Sequence, residues 1–383
     1  MKITIVLGAF LPVPPTMGGA VEKIWYALAQ EFARRGHEVR IVSRKMRDQP
    51  SDETVHGIRH LRVPGFDTPR SLVWLKFLDL LYSRRVMSIL PPADILITNT
   101  FWLPMLVRDS SRGKIYVHVG RYPKGQMRFY RRATRLQAPS NAVGRGIASE
   151  APQLSEKVEV IPYPAPGSTS AAPPPIANRN KIVLYVGRVH PEKGVHLLID
   201  AFVRGTRAAF KDWKLMIVGP TETRFGGGGT DYLARLKGLV AEVGDRVVFV
   251  GSIFDSVALE QTFRDARLFV YPSLAKRGES FGLAPLEAMT HGCAVVVSNL
   301  DCFSDFIRDG ETGFVFDHRS TSPVESLRQK IDNIMSNEAA LSRVAEAGQR
   351  KSAEYSLPRV ADRFIADFSS LIQESDAARN TNR

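Results

Sequence analysis

The chain has 383 residues, 44% of them hydrophobic and 24% charged, which is too long for one ordinary α/β core and too apolar for a disordered chain. Its only cysteines, Cys293 and Cys302, argue against a disulfide framework and for a reducing cytoplasm, and no apolar run is long enough to span a membrane. The net charge of +13 is lopsided: residues 1–165 hold 25 Lys+Arg against 13 Asp+Glu, and the rest hold 27 against 26, so the first half is either a solvated basic surface or the docking side for an anionic partner.

Residues 2–7 predict a first β-strand and not a signal peptide, because no basic region and long apolar core lead to a cleavage site. Residues 21–35 carry Val21, Ile24, Trp25, Leu28, Ala29 and Phe32 at helical spacing and stop at Gly36; residues 38–43 then form the next strand of a βαβ unit. Strands at 95–98, 115–119 and 136–138 continue a parallel, doubly wound sheet. Residues 162–175 read PYPAPGSTSAAPPP, too rich in proline for a helix or a central strand, so 166–180 is read as an extended linker. The alternation then restarts, with strands at 182–186, 215–218, 247–250, 268–271, 294–298 and 314–316 and helices at 196–204 and 232–243. A last helical stretch covers 360–372. The expected fold is α/β, with two Rossmann-like domains facing across a cleft. The first is 1–165, completed by a C-terminal helix at 358–375, and the second is 181–355. Such domains bind ligands beyond the carboxyl ends of their strands.

The sharpest chemical signal is KRGESFGLAPLEAMTHG at 276–292, which follows a strand and opens a helix with Pro285 near its first turn. A helix start offers unpaired N–H groups and a positive dipole end, which suit a diphosphate, and Gly282 lets the backbone approach it. Glu279 on the loop and Glu287 about a turn into the helix are placed to accept hydroxyls of a sugar and a ribose. A second signal, VGRVHPEKG at 186–194, sets Arg188 and Lys193 on a loop at a strand's carboxyl end, where two cations would stabilise a departing diphosphate. No Asp-x-Asp pair and no His/Cys metal spacing occurs. A lone pair of glutamates or cations would read as solvated surface; the constellation does not.

Together these residues resemble the retaining, two-domain (GT-B type) glycosyltransferases of family 4. The resemblance extends over Gly18-Gly19, Gly187-Arg188, Lys193-Gly194, Gly251, Tyr271-Pro272-Ser273, Glu279, Glu287 and Asp309 to Gly313. It implies that Arg188 and Lys193 bind the diphosphate, Glu279 the donor sugar and Glu287 the ribose. Phe281, Gly282 and Leu283 would face the phosphates and sugar, Gly18 and Gly19 would approach the phosphates from the first domain, and His118 would lie near the donor sugar. It also implies catalytic roles for Glu279, His118, Arg188 and Lys193, with no metal and no cofactor beyond the nucleotide-diphosphate sugar. Family members often carry a Gly-rich stretch and a Glu where this chain reads Asp301-Cys-Phe-Ser-Asp305, and Asn-Gly where it reads Ile161-Pro-Tyr-Pro164.

The expected reaction is retaining transfer of a hexose from a nucleotide-diphosphate sugar, UDP-linked, to a glycan or lipid-linked acceptor in exopolysaccharide, lipopolysaccharide or other cell-envelope glycan assembly. A nucleotide-sugar epimerase of the same fold has no second substrate for the basic half to attract. A non-catalytic nucleotide-sugar-binding protein would keep Lys193 and Glu287 but has no use for His118. The glycine run 226–229 lacks a following Lys-Ser/Thr and reads as a flexible loop, not a phosphate cradle. Residues 72–85, LVWLKFLDLLYSRR, read first as a core helix and second as an interfacial one. Residues 121–135 mix cations with aromatics, favouring contact with an anion. No nucleic-acid module accompanies them, so the expected partner is an anionic membrane, met peripherally by a cytoplasmic protein at the inner face of the plasma membrane.

Overall fold

The computed structural model describes every residue except Gly18, 168–171, 206–210, 242, 276–277 and 382–383, with backbone alone for 375–381. It divides into two compact units, Met1–Pro164 with Leu357–Arg383, and Ala165–Ser356. Each is a Rossmann-like α/β layer structure.

The first unit runs β1 (Lys2–Val6), α1 (Ala20–Arg34), β2 (Glu38–Lys45), β3 (Asp52–Val55), β4 (Ile58–Pro64), α2 (Leu72–Ile89), β5 (Ile95–Thr98), α3 (Leu103–Leu106), β6 (Lys114–His118), β7 (Arg135–Ala138), α4 (Asn141–Glu150) and β8 (Val158–Val160). Among the described residues its sheet has eight strands in the order β3-β4-β2-β1-β5-β6-β7-β8. Only β3 runs antiparallel to its neighbour. The order reverses between β1 and β5, which makes the carboxyl ends of those strands the natural ligand edge. The periodic stripe of α1 is the face it buries, with Ile24, Trp25, Leu28, Ala29 and Phe32 all in the core.

Three elements of this unit carry weak sequence signals. β4 reads IRHLRVP, yet His60 and Arg62 are buried in it, Arg62 in an ion pair with Glu53 at 2.6 Å. α4 reads NAVGRGIASE, and glycine lowers helix propensity. Here the small residues let the helix approach its neighbours: a side chain at Gly144 would meet Val160 at 3.0 Å, and one at Gly146 would meet Tyr122 at 3.0 Å. α2 is discussed below.

The second unit runs β9 (Asn180–Val186), α5 (Val195–Val203), β10 (Lys214–Val218), α6 (Gly229–Leu239), β11 (Val247–Gly251), α7 (Ser256–Asp265), β12 (Ala266–Tyr271), α8 (Leu283–Thr290), β13 (Ala294–Ser298), β14 (Phe314–Phe316), α9 (Pro323–Met335) and α10 (Glu338–Ser352). Its six described strands are all parallel, in the order β11-β10-β9-β12-β13-β14, with the reversal between β9 and β12. The stretch read as a linker is tied to this unit at its far end. Arg179 is buried and donates to the Ala266 carbonyl at 3.2 Å, while Arg267 donates to the carbonyls of Ala177 and Arg179 at 2.6 and 2.8 Å. Residues 168–171 of that stretch lie outside the described residues.

The chain then returns to the first unit as α11 (Leu357–Thr381). Phe364 and Phe368 pack against Trp25, Phe32 and Tyr116, and Asp367 accepts from the Tyr116 hydroxyl at 2.8 Å and pairs with Arg135 at 2.7 Å. Both cysteines are free and buried.

Candidate functional site

The reversal between β9 and β12 sets two loops side by side at the carboxyl end of the second sheet. The loop after β9 carries Arg188 and Lys193, and the loop after β12 carries Glu279. Although 86 residues apart in sequence, Lys193 and Glu279 form an ion pair at 2.6 Å, with side chains only 8% and 11% exposed. Ser273 donates to the same Glu279 oxygen at 2.9 Å. The loops are also bonded through their backbones, Leu274 N–H to the Glu192 carbonyl at 2.8 Å. Beneath them Tyr185 and Tyr271 stack at 5.9 Å, the Lys193 ammonium lies 5.4 Å above the Tyr271 ring, and the Tyr185 hydroxyl donates to the Arg188 carbonyl at 2.8 Å. Burial holds both phenols well above their usual range, so they act as neutral supports.

Arg188 is held differently. Its guanidinium donates to Glu192 at 2.7 Å and to the Gly226 carbonyl at 2.8 Å. Burial works against ionisation of Glu192, but the hydrogen bond and charge of Arg188 outweigh it and keep the carboxyl below its ordinary value. The glycine run therefore does not hang free. Gly228 N–H bonds to Val189 and Gly229 N–H to Thr221, both at 2.8 Å, so the run braces the cation loop.

Leu283 and Glu287 lie one turn apart on the half-exposed stripe of α8, whose other face buries Pro285, Leu286, Ala288 and Met289. Gly282 precedes the helix with φ 95° and makes no side-chain cap, leaving the first-turn N–H groups unclaimed by any cap. A Cβ at this position would sit 2.5 Å from the Phe303 ring. The glycine thus meets a core aromatic as well as a backbone demand, a different reason from the ligand approach expected of it. Phe281 is buried at 1% exposure against Phe306 and Tyr355, so its side chain belongs to the core and only its backbone can face a ligand. Residues 276 and 277 of the motif, and Gly18 in the first unit, lie outside the described residues.

In the first unit, His118 ends β6 at the carboxyl edge of the sheet. Its ring is 3% exposed, with Nδ1 2.5 Å from Gln137 Oε1 and Nε2 3.1 Å from the Tyr163 hydroxyl. Gln137 spends its amide N–H on the Ile161 carbonyl at 2.5 Å, so its Oε1 must accept. His118 therefore carries its proton on Nδ1 and accepts from Tyr163 at Nε2. Burial pushes its pKa from 6.5 down to about 4, against the smaller upward pull of Gln137. The imidazole is neutral at pH 7, and it cannot serve as a cation there. Because the folded value lies below the unfolded one, its contribution to stability is complete above about pH 6.5 and is lost as pH falls toward 4. Nitrogen-detected NMR is expected to show one Nδ1–H tautomer from pH 8 down to about 5, with onset of protonation only near 4; titration near the ordinary value would rule out this network.

Gly19 immediately precedes α1, and Glu22 in the first turn folds over it. Glu22 is 7% exposed; burial raises its carboxyl pKa, opposed by a backbone hydrogen bond and by Arg121. Sequence reasoning passed over Glu22, Glu192, Ser273, Gln137 and Tyr163. Glu192 and Ser273 stand inside quoted motifs, and their signal was adjacency to a named charge. Gln137 and Tyr163 reach His118 from 19 and 45 positions away and had no local signal.

A cavity of about 520 Å³ lies at the amino ends of β5, β6 and β7, lined by Asp94, Arg108, Lys114 and Arg132 among others. This is the end of the sheet opposite His118, and no predicted site residue enters it. Among the described residues no group of three His, Cys, Asp or Glu side chains is placed to hold a metal ion, and no helix is long and apolar enough to cross a membrane.

Two family descriptions match the chain in succession, Glycosyltransferase Family 4 over residues 17–165 and Glycosyl transferases group 1 over residues 169–351. Among curated proteins it is similar to the phosphatidyl-myo-inositol mannosyltransferase of Mycobacterium tuberculosis, 27% identical over 59% of this chain and 55% of that one. It is also similar to the lipopolysaccharide core biosynthesis mannosyltransferase LpcC of Rhizobium leguminosarum, 30% identical over 49% of this chain and 51% of that one. The chain thus spans about half the length of the curated relatives it matches. Solved structures extend the likeness to the whole fold. Sucrose-phosphate synthase of Thermosynechococcus elongatus superposes with a TM-score of 0.72 at 19% identity, over 98% of this chain and 100% of that one. HepE of Anabaena, in complex with UDP and glucose, gives 0.68 at 19% identity, over 97% and 100%.

Proposed function

The chain belongs to the family 4 glycosyltransferases of the GT-B fold, and from that premise we propose that it moves a hexose, with retention of anomeric configuration, from a UDP-sugar to a glycan or lipid-linked acceptor. The observation that carries this reading is the joining of Lys193, Glu279 and Ser273, with Arg188 on the same loop, at the carboxyl ends of β9 and β12. When the bond between the anomeric carbon and the diphosphate oxygen breaks, its electron pair goes to the diphosphate. Lys193 and Arg188 stabilise that charge, and the first-turn N–H groups of α8 add to the effect. Glu279 accepts hydrogen bonds from sugar hydroxyls, Glu287 from the ribose. His118, neutral, would bond the donor sugar only at Nε2, as an acceptor, once the Tyr163 hydroxyl has released it. The acceptor hydroxyl adds to the anomeric carbon and passes its proton to the departing diphosphate. The two cations take the role a divalent metal plays elsewhere, so the reaction is expected to run without one.

The setting proposed is assembly of a cell-envelope glycan, with peripheral contact to an anionic membrane through the basic first unit. Support comes from the named activities of the mannosyltransferase relatives, on phosphatidyl-myo-inositol and on lipopolysaccharide core, and from the UDP and glucose held by HepE. The test is release of nucleotide from a panel of UDP-, GDP- and ADP-sugars by purified protein with EDTA present throughout. Slow hydrolysis of one UDP-sugar is the expected result. Silence across the panel together with no measurable binding of UDP or GDP would overturn the proposal.

A further inference from the structure

α2 is two different helices in one. Its second half is conventional, burying Asp79, Tyr82, Ser83 and Val86. Its first two turns bury nothing: Leu72 is 76% exposed, Val73 79%, Trp74 58% and Phe77 47%. Large apolar side chains scattered singly on a surface need no explanation, but four within six residues do.

The exposed turns continue into a wider surface. Trp74 packs edge-on against Phe77 at 5.5 Å. The Lys76 ammonium sits 3.9 Å over the Phe101 ring, and the Trp102 indole N–H donates to the Lys76 carbonyl at 2.7 Å. Phe101 in turn contacts Phe129, itself 46% exposed, whose ring carries the Arg128 guanidinium at 4.9 Å. Asp79 fixes this arrangement from below, accepting the backbone N–H groups of Phe101 and Trp102 at 3.0 and 3.2 Å.

The segments that form this surface carry cations only, although Glu150 accepts from the backbone N–H groups of Gly125 and Met127 at 2.6 Å. Residues 68–78 and 119–135 contain eight Lys or Arg and no Asp or Glu. Arg70, Lys76, Lys124, Arg128, Arg131 and Arg132 are all exposed. Asp67, just outside, is engaged by Arg44 at 2.6 Å. Aliphatic and aromatic side chains interleaved with cations that can reach back to headgroups fit the boundary between lipid headgroups and acyl chains. They fit single-stranded nucleic acid less well, since Leu72 and Val73, the most exposed aliphatics, offer nothing to a stacked base.

We infer that the first two turns of α2, with Phe129 and its flanking arginines, form the docking surface by which this protein enters the headgroup region of an anionic bilayer. This rests on the peripheral-membrane part of the proposed function and stands apart from sugar transfer. The aromatic pair Trp74 and Phe77 supplies insertion; Lys76 and Arg128 supply preference for anionic lipid.

The test is flotation of the full chain with vesicles of equal phosphatidylglycerol and phosphatidylcholine, and with phosphatidylcholine alone, at low salt. The parent is expected to float with the anionic vesicles. Trp74→Ser/Phe77→Ser is expected to weaken partitioning by at least about tenfold, and Lys76→Glu/Arg128→Glu to weaken binding to the anionic vesicles alone. Brominated acyl chains should quench fluorescence of the parent more than that of Trp74→Phe, in which half-buried Trp102 is the one tryptophan left at the surface while Trp25 and Trp213 are only 1% and 4% exposed. All four side chains exchanged in the double variants are exposed, so an unchanged thermal transition checks folding, and unchanged donor hydrolysis separates this surface from the transfer site. No flotation of the parent, or equal flotation of Trp74→Ser/Phe77→Ser, overturns the inference. So does a concentration-dependent dimer abolished by the same substitutions, since the surface would then belong to a second copy.

Discussion

Lys193→Ala is expected to lower turnover by about 100-fold or more, the scale of removing one charge-stabilising group from a reacting centre. The geometry argues for an effect at the upper end. The ammonium is 8% exposed, wedged between Glu279 at 2.6 Å and the Tyr271 ring at 5.4 Å, so no solvent cation or neighbouring side chain can stand in for it. Arg188 keeps its own place on the diphosphate but cannot move into that of Lys193, because its bonds to Glu192 and Gly226 anchor it. The same burial predicts a second effect. Removing Lys193 leaves the Glu279 carboxylate with only the neutral hydroxyls of Ser273 and Tyr271 among its described partners, and breaking a buried pair typically costs about 3–5 kcal/mol. Activity must therefore be measured well below the variant's unfolding transition. The double variant Lys193→Ala/Glu279→Gln separates the two effects: it should recover part of the lost stability and none of the lost turnover. Near-normal turnover in a folded Lys193→Ala protein would remove Lys193 from the mechanism.

What the sequence carried, and what it hid, follows from where each signal resides. The parallel strands were legible because buried β-branched runs such as AVVVS in β13 have no other stable use. The cation loop and the glutamate loop were legible because each lies directly after such a strand. Their contact was not, since strand order brings β9 beside β12 and local sequence does not encode neighbour order. Buried charge hid β4, where Arg62 needs Glu53 from β3 before it can enter a core. His118 was picked out by position, but its neutrality depends on Gln137 and Tyr163, which reach it through β7 and the end of the unit. For residues 72–85 composition offered a core helix or an interfacial one, and the structure buries part of the later turns of α2 and leaves the first two exposed. Periodicity could not separate them, because the exposed first turns, LVWLKFL, are at least as apolar as the buried part that follows.

Gly194→Ala is expected to be among the most damaging small substitutions in the second unit. Gly194 follows Lys193 and precedes α5 with φ 68° and ψ 18°, a left-handed conformation that strains any side chain. Space is the larger problem: a Cβ there would lie 2.0 Å from the Pro272 carbonyl oxygen, so one of the two loops must move. Any such movement acts on the bond from Leu274 N–H to the Glu192 carbonyl at 2.8 Å and on the Lys193–Glu279 pair. Strain and overpacking together predict a loss of about 2–5 kcal/mol in denaturant unfolding and at least about tenfold weaker binding of UDP. Gly36 supplies the control. Its φ of 83° is equally left-handed, but nothing lies within 4 Å of its Cβ position, so Gly36→Ala carries the strain alone, about 1–2 kcal/mol. Asparagine, which tolerates left-handed backbone, should rescue position 36 and fail at 194. If Gly194→Ala proved no less stable than Gly36→Ala and bound UDP normally, the close approach of the two loops would not be what holds the site together.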